Sequence, residues 1–164
     1  MNAIVSVTQD WAIGYQGKLL VRNAADMRFF KETTMGGTVL CGRNTFQSFP
    51  GGALVGRRNI VLTRDQTYSP SGAEVAHTID EVLSLVESDD PDHVWLIGGQ
   101  SVYHQLLPYC KRALVTYHKV TVPADTYFPN LDEDERWVIR SSSPVSTTPS
   151  GVPFSFLEYV KQPS

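Results

Sequence analysis

His93-Val-Trp-Leu-Ile-Gly-Gly-Gln-Ser-Val-Tyr-His-Gln-Leu-Leu107 contains an apolar run of strand length, a glycine pair and a run of helical length stopped at Pro108. A short, nearly continuous apolar run suits a strand buried on both faces, as in a parallel sheet. The same order stands upstream. There Thr38-Val-Leu-Cys41 passes through Gly42-Arg43-Asn44-Thr45 into a segment carrying Phe46 and Phe49. Strand, glycine turn and helix in that order define an α/β chain.

Working outward, Ala3-Ile-Val-Ser-Val7 is another buried-strand pattern, and Arg58–Thr63, Ala73–His77 and Arg112–His118 read as further strands. Thr78-Ile-Asp-Glu81 is a capping box that opens a helix running to about Glu87. Asn23 opens the first helix, and Gly36-Gly37 closes it. Trp137–Arg140 and Phe154–Val160 are read as a terminal antiparallel pair. Thr8 to Arg22 shows no sustained period, and a connection that long suits a lid or binding loop. Ser141 to Pro153 is rich in turn residues and receives no role. The expected fold is a three-layer α/β sandwich. Its central twisted sheet is mostly parallel, with about eight strands, an antiparallel C-terminal edge and about four flanking helices. One domain is expected over residues 1–164.

The chain has 164 residues, 41% hydrophobic and 19% charged, with a net charge of −3. This composition suits a folded domain. A mildly acidic chain without a basic run argues against nucleic acid as partner. No window approaches a membrane span. The N-terminus lacks a basic leader, and Cys41 and Cys110 form no disulfide framework or metal-type pair, which suits a reduced, cytoplasmic protein. No Gly-x-Gly-x-x-Gly or P-loop occurs, and Gly99-Gln-Ser-Val-Tyr103 lacks the second glycine of a nucleophile elbow. His77, His93, His104 and His118 are scattered and read as surface or packing residues, and no metal is expected.

Two features carry chemistry. The turns Gly42–Thr45 and Gly98–Ser101 both follow strands and open helices, the usual ligand edge of an α/β sheet and a favourable place for anions. With Arg64 beyond a third strand, they suggest one ligand bearing several phosphates. In Asn23-Ala-Ala-Asp26-Met-Arg-Phe-Phe30, Asn23 is the N-cap and Met27 and Phe30 are expected on the inner face. Asp26 has two readings. It caps the positive helix end, or it is a carboxylate held against apolar walls to bind or protonate a ligand.

The joint order of several motifs resembles the dihydrofolate reductase family along essentially the whole chain. These are Ile13-Gly14, Ala25-Asp26 with Phe30-Lys31, Gly42-Arg43-x-Thr45 and Gly56-Arg57-x-Asn59-Ile60, then Ile97-Gly98-Gly99-x-x-Val102-Tyr103, Leu114-Val-Thr116 and Asp125-Thr-Tyr-Phe-Pro129. The resemblance implies NADPH-dependent reduction of dihydrofolate by a protein, expected to be a monomer, that also binds antifolates. It implies Asp26 as the catalytic acid, supported by Thr116. Ile4, Val5, Met27, Phe30, Phe49, Leu54 and Ile97 would line the substrate site, and Arg57 would hold the glutamate carboxylate. On the cofactor side it implies Ser6, Ile13, Gly14 and Leu19. Gly42, Arg43, Asn44, Thr45, Thr63 and Arg64 follow, then Gly98, Gly99, Gln100, Ser101, Val102 and Tyr103. Arg43 and Arg64 would meet the 2′-phosphate, and Gly98-Gly99 would be cis. The family's usual Leu-Pro-Trp is replaced by Leu19-Leu20-Val21, so the indole that would order water near the pterin is missing. Two alternatives stand beside this: a riboflavin-pathway pyrimidine reductase of the same fold, and a non-catalytic nucleotide-binding module.

Overall fold

The computed structural model describes residues 1–163. Its strands are β1 (Asn2–Thr8), β2 (Ala12–Gly14), β3 (Thr38–Gly42), β4 (Arg58–Leu62), β5 (Glu74–Ala76) and β6 (Val94–Gly98). They continue with β7 (Arg112–His118), β8 (Thr126–Tyr127), β9 (Trp137–Ser142), β10 (Ser146–Thr147) and β11 (Pro153–Lys161). The helices are α1 (Ala24–Thr34), α2 (Arg43–Gln47), α3 (Ile79–Leu85) and α4 (Gln100–Leu106).

Nine strands form one sheet in the order β10-β11-β7-β1-β6-β3-β4-β5, with β9 also paired to β11. From β7 to β5 every pairing is parallel, and β11 runs antiparallel to β7, β9 and β10. The expected architecture is therefore the observed one. The strand beyond the expected eight is β10, which lies in the unassigned Ser141 to Pro153 stretch. Two residues are too few to show alternation, so only pairing with Pro153 and Phe154 reveals it.

The side-chain period of two divides β1 between two layers. Ala3, Val5 and Val7 join the main core with Val102, Tyr103 and Leu106 of α4. Ile4, Ser6 and Thr8 face the other way. In that layer Ser6, Thr116 and Phe156 lie side by side across three strands. Helix α1 covers them: Thr116 reaches Asp26, and Phe29 packs on Phe156 with ring centroids 4.6 Å apart. The inner-face expectation for α1 needs correction. Met27 is 63% exposed, Phe30 is half-buried, and Thr34 is the buried residue of the helix. The helix lies along a cleft, so its apolar stripe meets open space as well as the sheet.

The Thr8 to Arg22 loop also carries structure that periodicity misses. Its β2 pairs with β8, more than a hundred residues away in sequence. Asp125 fixes the same loop, its N–H donating to the Gly14 carbonyl at 3.0 Å and its carboxylate accepting from the Gln16 N–H at 2.9 Å. Gly14 is required there, since a Cβ would lie 2.7 Å from Thr126 Oγ1. From Leu19 to Arg22 no backbone hydrogen bond restrains the chain among the described residues.

Candidate active site

Helix α1 begins on its own side-chain cap. Asn23 Oδ1 accepts from the Asp26 N–H at 3.2 Å, which places Asp26 in the first turn, where the helix end favours an anion. Its carboxylate accepts a 2.6 Å hydrogen bond from Thr116 Oγ1 on β7. No cation pairs with it among the described residues. Burial raises its pKa above the usual carboxylate range, and the Thr116 hydroxyl, His118 and Ser6 draw it partly back. A carboxylate held by neutral donors keeps its capacity to pair with a ligand's N–H groups or to hold a proton.

Two of the expected substrate residues share the layer of this acid, Ile4 by alternation with Ser6 on β1 and Phe30 one turn along α1. Ile4 is buried, and its carbonyl accepts a 2.7 Å hydrogen bond from the Tyr103 hydroxyl. Val5 requires a correction: it alternates into the core on the other face, so only its backbone can face a ligand in the α1 layer. Phe49 and Ile97 pack against the second core cluster around Cys41, Phe46 and Val61. Leu54 is held by Asn59, whose amide oxygen accepts the Leu54 N–H at 2.9 Å and whose amide nitrogen donates to the Leu54 and Arg57 carbonyls. The sequence motif contains Asn59, but its task of shaping the loop shows only in the fold.

Arg57 donates to the Val55 carbonyl at 3.0 Å and to Thr34 Oγ1 at 3.2 Å. Neither partner is charged, and no carboxylate pairs with it among the described residues. Burial lowers its proton affinity. By contrast, Arg58 is already paired with Glu74 and Asp89. Arg57 is thus an anchored guanidinium available to an incoming carboxylate. Gly56 permits the turn before it, with φ +76 and Met35 Sδ 2.5 Å from where a Cβ would stand.

The two glycine turns meet. A Cβ on Gly99 would lie 3.3 Å from Thr45 Oγ1, and one on Gly42 would lie 3.4 Å from Val102 Cγ2. The Gly98–Gly99 peptide is cis. Neither α2 nor α4 has a side-chain cap, whereas Asn23 caps α1 and Thr78 caps α3. The first-turn N–H groups of α2 and α4 therefore lack internal partners. Asn44 and Ser101 are exposed at these ends. Val102 and Tyr103 are buried, so their side chains serve packing and only their backbone can reach a ligand. Gln100 gives its side-chain oxygen to the Tyr127 N–H at 2.7 Å, tying α4 to β8. Farther along the edge, Arg64 is exposed. Arg43 stacks on Tyr68 and pairs with Asp65 at 2.8 Å, a partner the sequence reading missed. Thr63 Oγ1 accepts from the Asp65 N–H. Ser6 and Ile13 are half-buried, and Leu19 is 74% exposed on the loop.

A concavity of about 660 Å³ lies at the opposite sheet edge beside Trp95, Lys111 and Arg112. Its Lys111 is paired with Asp92 and its Arg112 with Glu158, so size does not mark the site.

His118, read from the sequence as a surface or packing residue, is fully buried beside Asn23. The signal was present: Thr116 and His118 are two apart on a strand and share a face.

Known proteins resemble this chain along most of its length. The dihydrofolate reductase family matches residues 1–161. Dihydrofolate reductase of Staphylococcus haemolyticus is 33% identical over 135 residues, covering 82% of this chain and 80% of that one. The Mycobacterium tuberculosis protein of the same name is 40% identical over 129 residues, covering 76% of each. The solved structure of dihydrofolate reductase from Enterococcus faecalis, complexed with NADP(H) and RAB-propyl, superposes with a TM-score of 0.88 at 29% identity. It covers 99% of this chain and 96% of that chain.

Proposed function

The chain belongs to the dihydrofolate reductase family, and on that premise we propose that it reduces 7,8-dihydrofolate to tetrahydrofolate with NADPH. The observation that carries this reading is the Asp26 carboxylate, half-buried, bonded to Thr116 and without a cation among the described residues. Such a group is costly unless a donor pair meets it, and the amidine-like edge of a pterin supplies that pair. In this reading Asp26 grips the 2-amino group and ring N–H, and Thr116 fixes the carboxylate's orientation. The charge of Asp26 beside the ring favours protonation of N5, directly or through water. Ile4, Phe30, Phe49, Leu54 and Ile97 wall the ring and the aminobenzoyl group, with Met27 at the cleft mouth. Arg57 receives the glutamate carboxylate.

The donor set at the other end fits a phosphorylated dinucleotide. Uncapped first turns at Thr45 and Gln100 offer N–H groups to the pyrophosphate, and Arg43 and Arg64 offer charge to the 2′-phosphate. Bound NADPH supplies the hydride that reaches C6. Ser6 and Ile13 flank the nicotinamide site, and the Leu19–Val21 loop covers it without an indole to order water.

We further propose that residues 1–164 form one domain, supported by a sheet that draws strands from Asn2 to Lys161. A monomeric, cytoplasmic enzyme without a nucleic-acid partner fits a chain of net charge −3. No helix among the described residues is long and apolar enough to cross a membrane. The direct test is NADPH oxidation on adding dihydrofolate to the purified protein. Methotrexate should raise its melting temperature. Oxidation with a riboflavin-pathway pyrimidine but not with dihydrofolate would overturn the assignment.

A further inference from the structure

His118 ends β7 and is 0% exposed, yet both its ring nitrogens are engaged. Nδ1 lies 3.1 Å from the Val7 carbonyl oxygen. That oxygen only accepts, so Nδ1 carries the proton. Nε2 then presents a lone pair, and Asn23 Nδ2 lies 3.1 Å from it. At the other end of the same amide, Asn23 Oδ1 accepts from the Asp26 N–H. A backbone N–H cannot accept, so the amide oxygen must face α1 and the amino group must face His118. These three bonds agree in one state, the neutral imidazole protonated on Nδ1.

We propose that His118 is a positioning residue that, through Asn23, locks the cap of α1 and so fixes the Asp26 carboxylate against Thr116. This deepens the reading of Asp26 given above and rests on it. An apolar residue in place of His118 would leave the amino group of the buried Asn23 without an acceptor, and the amide would lose its reason to hold one orientation. A proton on Nε2 would set two donors face to face. Asn23 would then turn over, give its oxygen to the ring and withdraw it from the Asp26 N–H.

The groups facing the ring come from every neighbouring element. Helix α1 contributes Asn23 and Asp26. Strand β1 contributes the Val7 carbonyl and the Ser6 hydroxyl, 3.4 Å from Nδ1, and β11 contributes the Phe154 ring at a centroid distance of 5.7 Å. Asp26 is the charged group among them. Burial lowers the ring's pKa below its usual 6.5, with the Val7 carbonyl and Asp26 partly opposing. The ring is therefore neutral at neutral pH, the state the bonds require.

The test is a double-mutant comparison with turnover, NADPH affinity and the pH profile as readouts. His118→Val should lower turnover about tenfold, as expected for a small displacement of a reacting group, and shift the apparent pKa of the pH profile while NADPH affinity holds. On an Asn23→Ser background, the hydroxyl caps α1 without needing orientation by the ring. There His118→Val should cost about twofold or less, because the coupling is gone. An equal loss in both backgrounds, or an unshifted pH profile, overturns the proposal and leaves His118 a packing residue. His118→Gln, whose amide oxygen can accept from Asn23, serves if the valine variant does not fold. It should keep turnover within about threefold of wild type, and a tenfold loss in both backgrounds overturns the proposal. Asp26→Asn, measured alongside, separates the two claims. If it stays fast, the role of Asp26 falls. If it is slow while His118→Val costs the same in both backgrounds, only the positioning role falls.

Discussion

The starts of α1 and α4 sit at the same edge of the sheet and are built in opposite ways. Helix α1 is closed by Asn23 and carries its own anion, Asp26. Helix α4 opens from Gly98–Gly99 with no side-chain cap and no acid in its first turn, and α2 repeats that pattern from Gly42. A helix end that satisfies itself has a carboxylate to offer a hydrogen-bond-donating ligand. A helix end left bare offers N–H groups and a positive dipole to an anion. The difference divides the proposed site into a pterin half and a phosphate half.

The strongest way to break this division is to neutralise α1's anion. Asp26→Asn should lower turnover at neutral pH by about a hundredfold or more while NADPH affinity changes little, as single-turnover and binding measurements would show. Stability should move the other way. Burial raises the folded pKa of Asp26 above 3.8, so the carboxyl favours the folded state below pH 3.8 and that contribution is lost as pH rises through the folded value. The Asn variant should therefore melt higher than wild type at neutral pH, and the gap should close in acid. A variant that melts lower at neutral pH would contradict the burial cost.

Arg57→Lys tests the far end of the pterin half. Loss of a bidentate partner should raise the KM for dihydrofolate about tenfold and leave the KM for NADPH unchanged. Equal effects on both would remove Arg57 from the substrate side.

Gly42→Asp gives α2 the cap it lacks. Gly42 has φ −82 and ψ 167, an extended conformation open to any residue. The added carboxylate should stabilise the helix yet weaken NADPH binding about tenfold by meeting the phosphates. Unchanged NADPH affinity would argue that this end binds no anion.

The smallest effect is expected at Asp65, which pairs with Arg43. The pair is solvent-exposed and strongly screened, so Asp65→Asn should tighten NADPH by about threefold at most. A larger gain would mean that Asp65 competes with the cofactor rather than decorating the edge.

Most of the architecture was legible because its parallel strands are continuous apolar runs and its helices begin at recognisable caps or glycine turns. Asn23 and Thr78 cap α1 and α3 as the sequence patterns require. The short elements were not legible. Pairing of β2 with β8 and of β10 with β11 depends on residues too few to show a period. The inner-face reading of Met27 failed because helical periodicity does not distinguish a core from a cleft. The missing partner of Arg43 and the role of Asn59 escaped for another reason: hydrogen bonds of single polar residues leave no pattern in sequence.

The sequence by itself therefore determined the class of fold, the order of the motifs and the capped start of α1 that carries Asp26, since these follow from local spacing and composition. The tertiary structure decided what that acid meets. Thr116 and His118 stand ninety or more positions from it in sequence, and they meet Asp26 and its cap Asn23 only because β7 pairs with β1 beneath α1. Hydrogen bonding and desolvation are set by distance in space, and distance along the chain does not encode it.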